Sequence, residues 1–268
     1  MAYMTTDCGR QVYYESHGQG SSAVVLVHGW GMNVRAWDNV LPALRDAGHR
    51  VVMLDHRCCG QSDKDFDDPG ISAIAGDVVA LVKQLGLSSV VLNGWSLGGA
   101  VVVEAASRLG ESCRAVVLTG GASPIYIQKP DLPLGGQPED MAATVAGLKA
   151  DRIAFLHGLS QAVCAKEVPP PVVEWIWQVF CQASPRAIET IAQLEPLDQR
   201  EMLASLPCPV LSFVGSQDAF VDPAIGRWVG DNHPRATVIE FEGVGHAPFI
   251  EVTEDYNREL LRFLATHS

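Results

Sequence analysis

The chain is constrained above all by its rhythm, in which short apolar runs rich in β-branched residues alternate with stretches of helical periodicity. Residues 23–27, 50–54, 89–92, 115–118, 209–214 and 237–241 are continuous apolar runs bounded by turn residues. They are too short for buried helices and read as buried strands. Residues 11–16 alternate and end at His17-Gly18, a further strand before a turn. Helical patterns fill the gaps at 35–47, 71–85, 97–109, 223–231 and 253–265. This alternation predicts an α/β fold with a mostly parallel central sheet and helices on both faces. Ligands in such folds sit beyond the C-terminal ends of the strands.

One long segment breaks the rhythm. Between 120 and 206 no run reads as a strand, while three helical patterns occur. A Pro/Gly-rich joint at 127–138 leads in, and Pro169-Pro170-Pro171 interrupts it. Beyond the prolines, Val172, Val173, Trp175, Ile176, Val179 and Phe180 form an apolar stripe that needs a surface to cover. The segment reads as a helical insertion at 121–206, flanked by core segments 1–120 and 207–268. It explains why the chain reaches 268 residues, long for a minimal single-sheet domain.

Composition narrows the function classes. A 47% hydrophobic chain with 19% charged residues is not a disordered one. With 31 acidic against 19 basic side chains, a net charge of −12 and no basic run, it lacks the footprint of a nucleic-acid or anionic-membrane binder. Seven cysteines, Cys8, Cys58, Cys59, Cys113, Cys164, Cys181 and Cys208, are an odd number with no CxxC pair and no Cys/His metal spacing. Residues 1–10 lack the basic start and apolar stretch of a signal peptide, and no run has the length of a membrane span. The expectation is a cytoplasmic protein with reduced thiols and no metal.

The chemistry-bearing motif is Gly94-Trp95-Ser96-Leu97-Gly98-Gly99, placed after the run at 89–92 and before the helical pattern at 97–109. A strand–turn–helix holding G-x-S-x-G is the setting of a nucleophile elbow, in which the serine hydroxyl projects above the sheet. A serine needs a base to remove its proton. Of the eight histidines, His246 is best placed, in Gly243-Val244-Gly245-His246-Ala247-Pro248-Phe249 after the last strand. His28 competes from a similar loop, but its Gly-rich setting suits a backbone role. The imidazole needs a carboxylate to hold one tautomer. Asp218 is the choice, following the penultimate strand. Its rival Asp222 precedes Pro223 and reads as a helix N-cap.

A tetrahedral oxyanion also needs waiting donors. The N–H of Leu97, directly after Ser96, is one. The loop His28-Gly29-Trp30-Gly31 supplies the second, with the N–H of Trp30 as candidate.

These motifs make the chain resemble the α/β-hydrolases over nearly its whole core. Asp55-His56-Arg57-Cys58-Cys59-Gly60-Gln61-Ser62 resembles the family's D-x-R-G-x-G-x-S turn, with Cys58 where glycine is usual. The segments 28–33, 94–99 and 245–250 are similar to carboxylesterases acting on pimeloyl-carrier-protein methyl ester. The 55–62 turn is closer to the cofactor-free haloperoxidase and esterase branch. The resemblance implies that the insertion after the sixth strand is a cap over the pocket. It also argues against dehalogenase or epoxide hydrolase chemistry, since those relatives carry aspartate where Ser96 stands. The cap region is acidic in balance, and an acidic carrier protein would be repelled by it.

The expectation is a cofactor-free serine hydrolase of small apolar esters, with Ser96, Asp218 and His246 as the triad. Trp30, Trp95, Leu97, Phe220, Val221 and Phe249 are the expected pocket wall, with Trp175 or Trp177 from the cap. The alternatives are a C–C bond hydrolase or lactonase with the same triad, a cofactor-free perhydrolase, haloperoxidase or oxygenase, and a non-catalytic small-molecule binding protein.

Overall fold

The β-branched runs pair into one eight-stranded sheet in the computed structural model, which describes residues 2–267. Its strands are β1 (Ala2–Thr5), β2 (Gln11–His17), β3 (Ser22–Val27), β4 (Val51–Leu54), β5 (Ser89–Trp95), β6 (Cys113–Thr119), β7 (Val210–Gly215) and β8 (Ala236–Phe241). They lie in the order β1-β2-β4-β3-β5-β6-β7-β8. From β4 to β8 every neighbouring pair is parallel, whereas β1 and β2 pair antiparallel at one edge. The central strands are buried on both faces, which is why their sequences run apolar without alternating.

Helices cover the sheet: α1 (Leu41–Asp46), α2 (Ile71–Gln84), α3 (Leu97–Leu109), α4 (Pro138–Ala150), α5 (Arg152–Ala162), α6 (Pro170–Cys181), α7 (Ile188–Ile191), α8 (Arg200–Ala204), α9 (Pro223–Asn232), α10 (Pro248–Glu251) and α11 (Thr253–His267). The helix expected at 35–47 is split into a 3₁₀ turn at Val34–Trp37 and α1. Pro42 lacks an N–H and fits only the first turn, so the helix restarts there instead of running through. β1 has no counterpart in the sequence reading. It exists because residues 2–5 register against Tyr14 to Gln11 of β2. β5 outruns its apolar stretch, since Asn93, Gly94 and Trp95 go on pairing with β6.

Between β6 and β7 lie helices α4–α8, with the isolated bridges Ile127↔Gly136 and Lys129↔Leu132 as the β structure described there. Pro170 and Pro171 open α6, whose stripe buries Ile176, Val179 and Phe180. Side chains tie this segment to the core. Trp30 Nε1 donates to Ala187 O (2.7 Å), and Gln199 Nε2 donates to Ala100 O (2.9 Å). All seven cysteines are free thiols.

Candidate active site

Ser96 stands alone between the last residue of β5 and the first of α3. Its backbone sits at φ 56° and ψ −125°, a conformation that costs a non-glycine residue on the order of 1–3 kcal/mol. The surroundings impose it. Ser96 O accepts from Gly99 N and Ala122 N at 2.8 Å each, and Ser96 N donates to Thr119 O. The flanking glycines permit it. A Cβ on Gly94 would lie 2.2 Å from Gly98 O, and one on Gly98 would lie 2.3 Å from Val27 O. Ser96 remains half-buried while Trp95 and Leu97 are buried, so the serine is the residue of the turn that opens outward.

His246 and Asp218, the residues the sequence singles out, converge from two other strand ends. His246 Nδ1 lies 2.8 Å from Asp218 Oδ2, and both side chains are nearly sealed from solvent. Asp218 Oδ1 accepts from the N–H groups of Phe220 (2.8 Å) and Val221 (3.0 Å), which fixes the carboxylate plane. The His246 ring is flanked by Trp95 and Phe220, with centroids 5.4 and 5.0 Å away. Its backbone is pinned as well, with His246 N donating to Val163 O and His246 O accepting from Trp95 Nε1. Asp222 has other duties. Its carboxylate caps α9 through Ala224 N (2.9 Å) and accepts from Gly135 N (3.0 Å).

The loop after β3 is held from beneath by His28. The N–H of His56 donates to His28 Nε2 (2.9 Å), which makes that nitrogen the acceptor, so Nδ1–H donates to Gly29 O (2.7 Å). Burial holds the His28 imidazole down at about 4 and its stacked neighbour His56 well below the ordinary range. Both are therefore neutral and structural, and His28 does not line the cavity. Asp55 fastens the next layer, accepting from Val34 N (2.8 Å) and Gln61 N (2.7 Å). In the same turn Cys58 takes a φ of 67°, the left-handed angle for which glycine is the usual residue. The N–H groups of Trp30 and Leu97 have no acceptor among the described residues; Trp30 lines the cavity above Ser96, whereas Leu97 is buried behind it.

Above Ser96 and His246 lies a mainly apolar cavity of about 330 Å³. Trp30, Trp95 and Phe220 line it as the sequence suggested. Leu97, Val221, Phe249, Trp175 and Trp177 do not, Leu97 being wholly buried at the start of α3. Val221 is buried behind Asp218, where its backbone serves the carboxylate. Phe249 is wholly buried against Trp37, Trp95 and Tyr256, as core. Trp177 donates its Nε1–H to Ile153 O, and Trp175 packs at the core's margin. Most of the remaining wall comes from the segment between β6 and β7, chiefly Tyr126, Ile127, Met141, Leu159, Phe180 and Ile191. Phe180 carried a signal in its stripe. The others did not, because nothing local to them says which way they face. Among the described residues, no cluster of three or more His, Cys, Asp or Glu side chains is arranged to hold a metal, and no helix is long and apolar enough to cross a membrane.

Known proteins repeat this architecture. A pimeloyl-[acyl-carrier protein] methyl ester esterase of Nitrosomonas europaea is 27% identical over 91% of this chain and 96% of its own. A non-heme chloroperoxidase of Kitasatospora aureofaciens is 29% identical, covering 98% of this chain and 99% of that one. The solved structure of an esterase from Exiguobacterium antarcticum superposes with a TM-score of 0.94 at 26% identity, over 98% of each chain. Such neighbours support hydrolase activity on esters in general. Residues 22–252 match the alpha/beta hydrolase fold family, and the chain belongs to it.

Proposed function

We propose that this protein hydrolyses small, neutral, largely apolar carboxylic esters through an acyl-enzyme on Ser96. The observation carrying this reading is the Asp218–His246 pair opening onto the same cavity as the strained Ser96. Ser96 Oγ attacks the ester carbonyl while His246 Nε2 takes its proton. The N–H groups of Trp30 and Leu97 receive the oxyanion, a contribution worth about 10²–10³ in rate per donor in comparable sites. The tetrahedral intermediate collapses as His246 returns the proton to the leaving alcohol. Water, deprotonated by the same histidine, then cleaves the acyl-enzyme and regenerates Ser96. Asp218 holds His246 with Nδ1 protonated throughout, and no cofactor or metal enters the cycle.

In the same reading, residues 121–206 act as a cap that roofs the cavity, and the protein works in the cytoplasm. The occupant is a small molecule rather than an acidic carrier protein, a nucleic acid or a membrane. The cap's own pairing supports this. Lys129, Arg152, Arg186 and Arg200 are engaged by acceptors within the segment, which leaves few cations for an acidic partner. Likeness to a bifunctional esterase/perhydrolase of Acinetobacter calcoaceticus, 26% identical over 98% of this chain, supports a second outlet for the same intermediate, in which hydrogen peroxide replaces water and releases a peracid.

Turnover of p-nitrophenyl esters across acyl lengths tests the proposal. Wild-type protein is expected to release p-nitrophenol and Ser96→Ala to lose that activity. Equal rates in both would remove the acyl-enzyme.

A further inference from the structure

The cavity contains a phenol that the proposed chemistry leaves idle. Of its polar lining groups, Ser96 and His246 carry the reaction, and the indole N–H groups of Trp30 and Trp95 are taken by Ala187 O and His246 O. Asp140 Oδ2 accepts from Gln137 N (2.9 Å), and Thr144 Oγ1 donates to Asp140 O (2.9 Å). The Tyr126 hydroxyl has no partner among the described residues. It is not sealed in the interior as the unpaired Trp37 Nε1 is, so it opens on accessible space.

Tyr126 is also held firmly at the backbone. Its carbonyl accepts from Gly136 N (3.0 Å), and Ile127 and Gly136 form a bridge. The adjacent Gly135 N donates to Asp222 Oδ2 (3.0 Å), which fastens this turn to the N-terminus of α9. These bonds fix the backbone that carries the phenol, which reduces the freedom lost when a ligand binds.

We propose that Tyr126 is a specificity residue whose O–H donates to an uncharged oxygen acceptor, a ketone or ether, carried by the ester substrate away from its scissile carbonyl. This rests on the ester-hydrolase reading and narrows its substrate class from apolar esters to esters bearing one further neutral oxygen. The neutrality follows from the neighbours. Asp140 lines the same cavity and Asp218 lies beneath it, so a substrate carboxylate would meet like charge. Burial, reinforced by those two carboxylates, pushes the Tyr126 phenol up to about 12, so it remains a donor at every practical pH.

The experiment reads binding without turnover, in a Ser96→Ala background, by titration calorimetry. The ligand pairs are ethyl 3-oxopentanoate and ethyl 4-oxopentanoate against ethyl pentanoate, and 2-methoxyethyl butanoate against butyl butanoate. At least one oxygenated ester is expected to bind better than its alkyl match, and adding Tyr126→Phe should cut that preference about 3- to 10-fold, as for one neutral hydrogen bond. Tyr126→Met, a second phenol-free variant, should give the same loss. An unchanged preference ratio for every pair would overturn the proposal, as would ethyl hydrogen succinate binding as tightly as the oxo esters. Because Ser96 is absent, this result is independent of whether Ser96 forms an acyl-enzyme. Failure of ester turnover in the wild type would remove the hydrolase reading and leave the Tyr126 ratio standing.

Discussion

His246 Nδ1 and Asp218 Oδ2 meet at 2.8 Å with 5% and 2% of their side chains exposed, whereas Asp222, four residues on, spends its carboxylate on Ala224 and Gly135. The two aspartates thus make opposite predictions. Asp218→Asn keeps the shape but misassigns the imidazole tautomer, and kcat should fall on the order of 10⁴. Asp222→Asn should leave kcat within a few-fold and cost about 1 kcal/mol of stability, because the amide oxygen can still cap Ala224 N while its NH2 cannot accept from Gly135 N. Steady-state kinetics and urea titration on both variants check this, and a reversed pattern would reassign the acid.

Phe220 and Phe249 separate in the same way. Phe220 lines the cavity and stacks near His246, so Phe220→Ala should change kcat/KM more than it changes the urea midpoint. Phe249 has no exposure and fills the space between Trp37, Trp95 and Tyr256. Phe249→Ala should destabilise the fold by about 3–5 kcal/mol. Equal stability losses would show that both rings are core.

The elbow's close approach is tested by Gly98→Ala. Its added Cβ would meet Val27 O at 2.3 Å and His28 O at 2.6 Å, both backbone atoms that have little room to retreat. A loss of about 3 kcal/mol or more is expected, with esterase activity abolished. Gly110→Ala is the contrast, since nothing lies within 4 Å and only its φ of 55° is unfavourable. Its backbone matches that of Ser96, so the substitution should cost about 1–3 kcal/mol from conformation alone. Similar urea midpoints for the two variants would contradict the packing argument.

Stability should fall as pH drops from about 6.5 toward 4. His28 is held down at about 4 and His56 well below its ordinary value, both by burial. Groups depressed in the folded state contribute stability above their unfolded pKa near 6.5 that is lost as pH falls through the folded value. For His28 alone this is on the order of 3 kcal/mol. Asp55, pushed up by burial to about 6, acts oppositely, adding stability below its unfolded pKa that disappears as pH rises through 6. It offsets roughly one imidazole, so the second sets the net sign. Urea midpoints at pH 7, 6 and 5 should decrease in that order, and a flat or rising series toward acid would contradict it.

The sheet, the elbow and the Asp218–His246 pair were legible in the sequence because each depends on local chain geometry. Gly94 and Gly98 are readable since backbone atoms occupy the space of any Cβ, and Asp218 and His246 since both follow strands that end at one edge. The pocket wall was much less legible. Val221 and Phe249 lie three residues after Asp218 and His246 yet do not line the cavity, because proximity along a loop does not set side-chain direction. Tyr126, Met141 and Leu159 line the cavity from a segment whose docking is decided by long-range contacts such as Trp30 to Ala187. β1 was unreadable for a related reason, since it is a strand only through its pairing with β2.

The most direct measurement of the central claim is covalent labelling of folded protein with a fluorophosphonate, followed by peptide mass mapping. The account predicts one adduct per chain, on Ser96, lost in Ser96→Ala and strongly slowed in His246→Ala. Folded wild-type protein that stays unlabelled, or that carries the adduct on another residue, would contradict it.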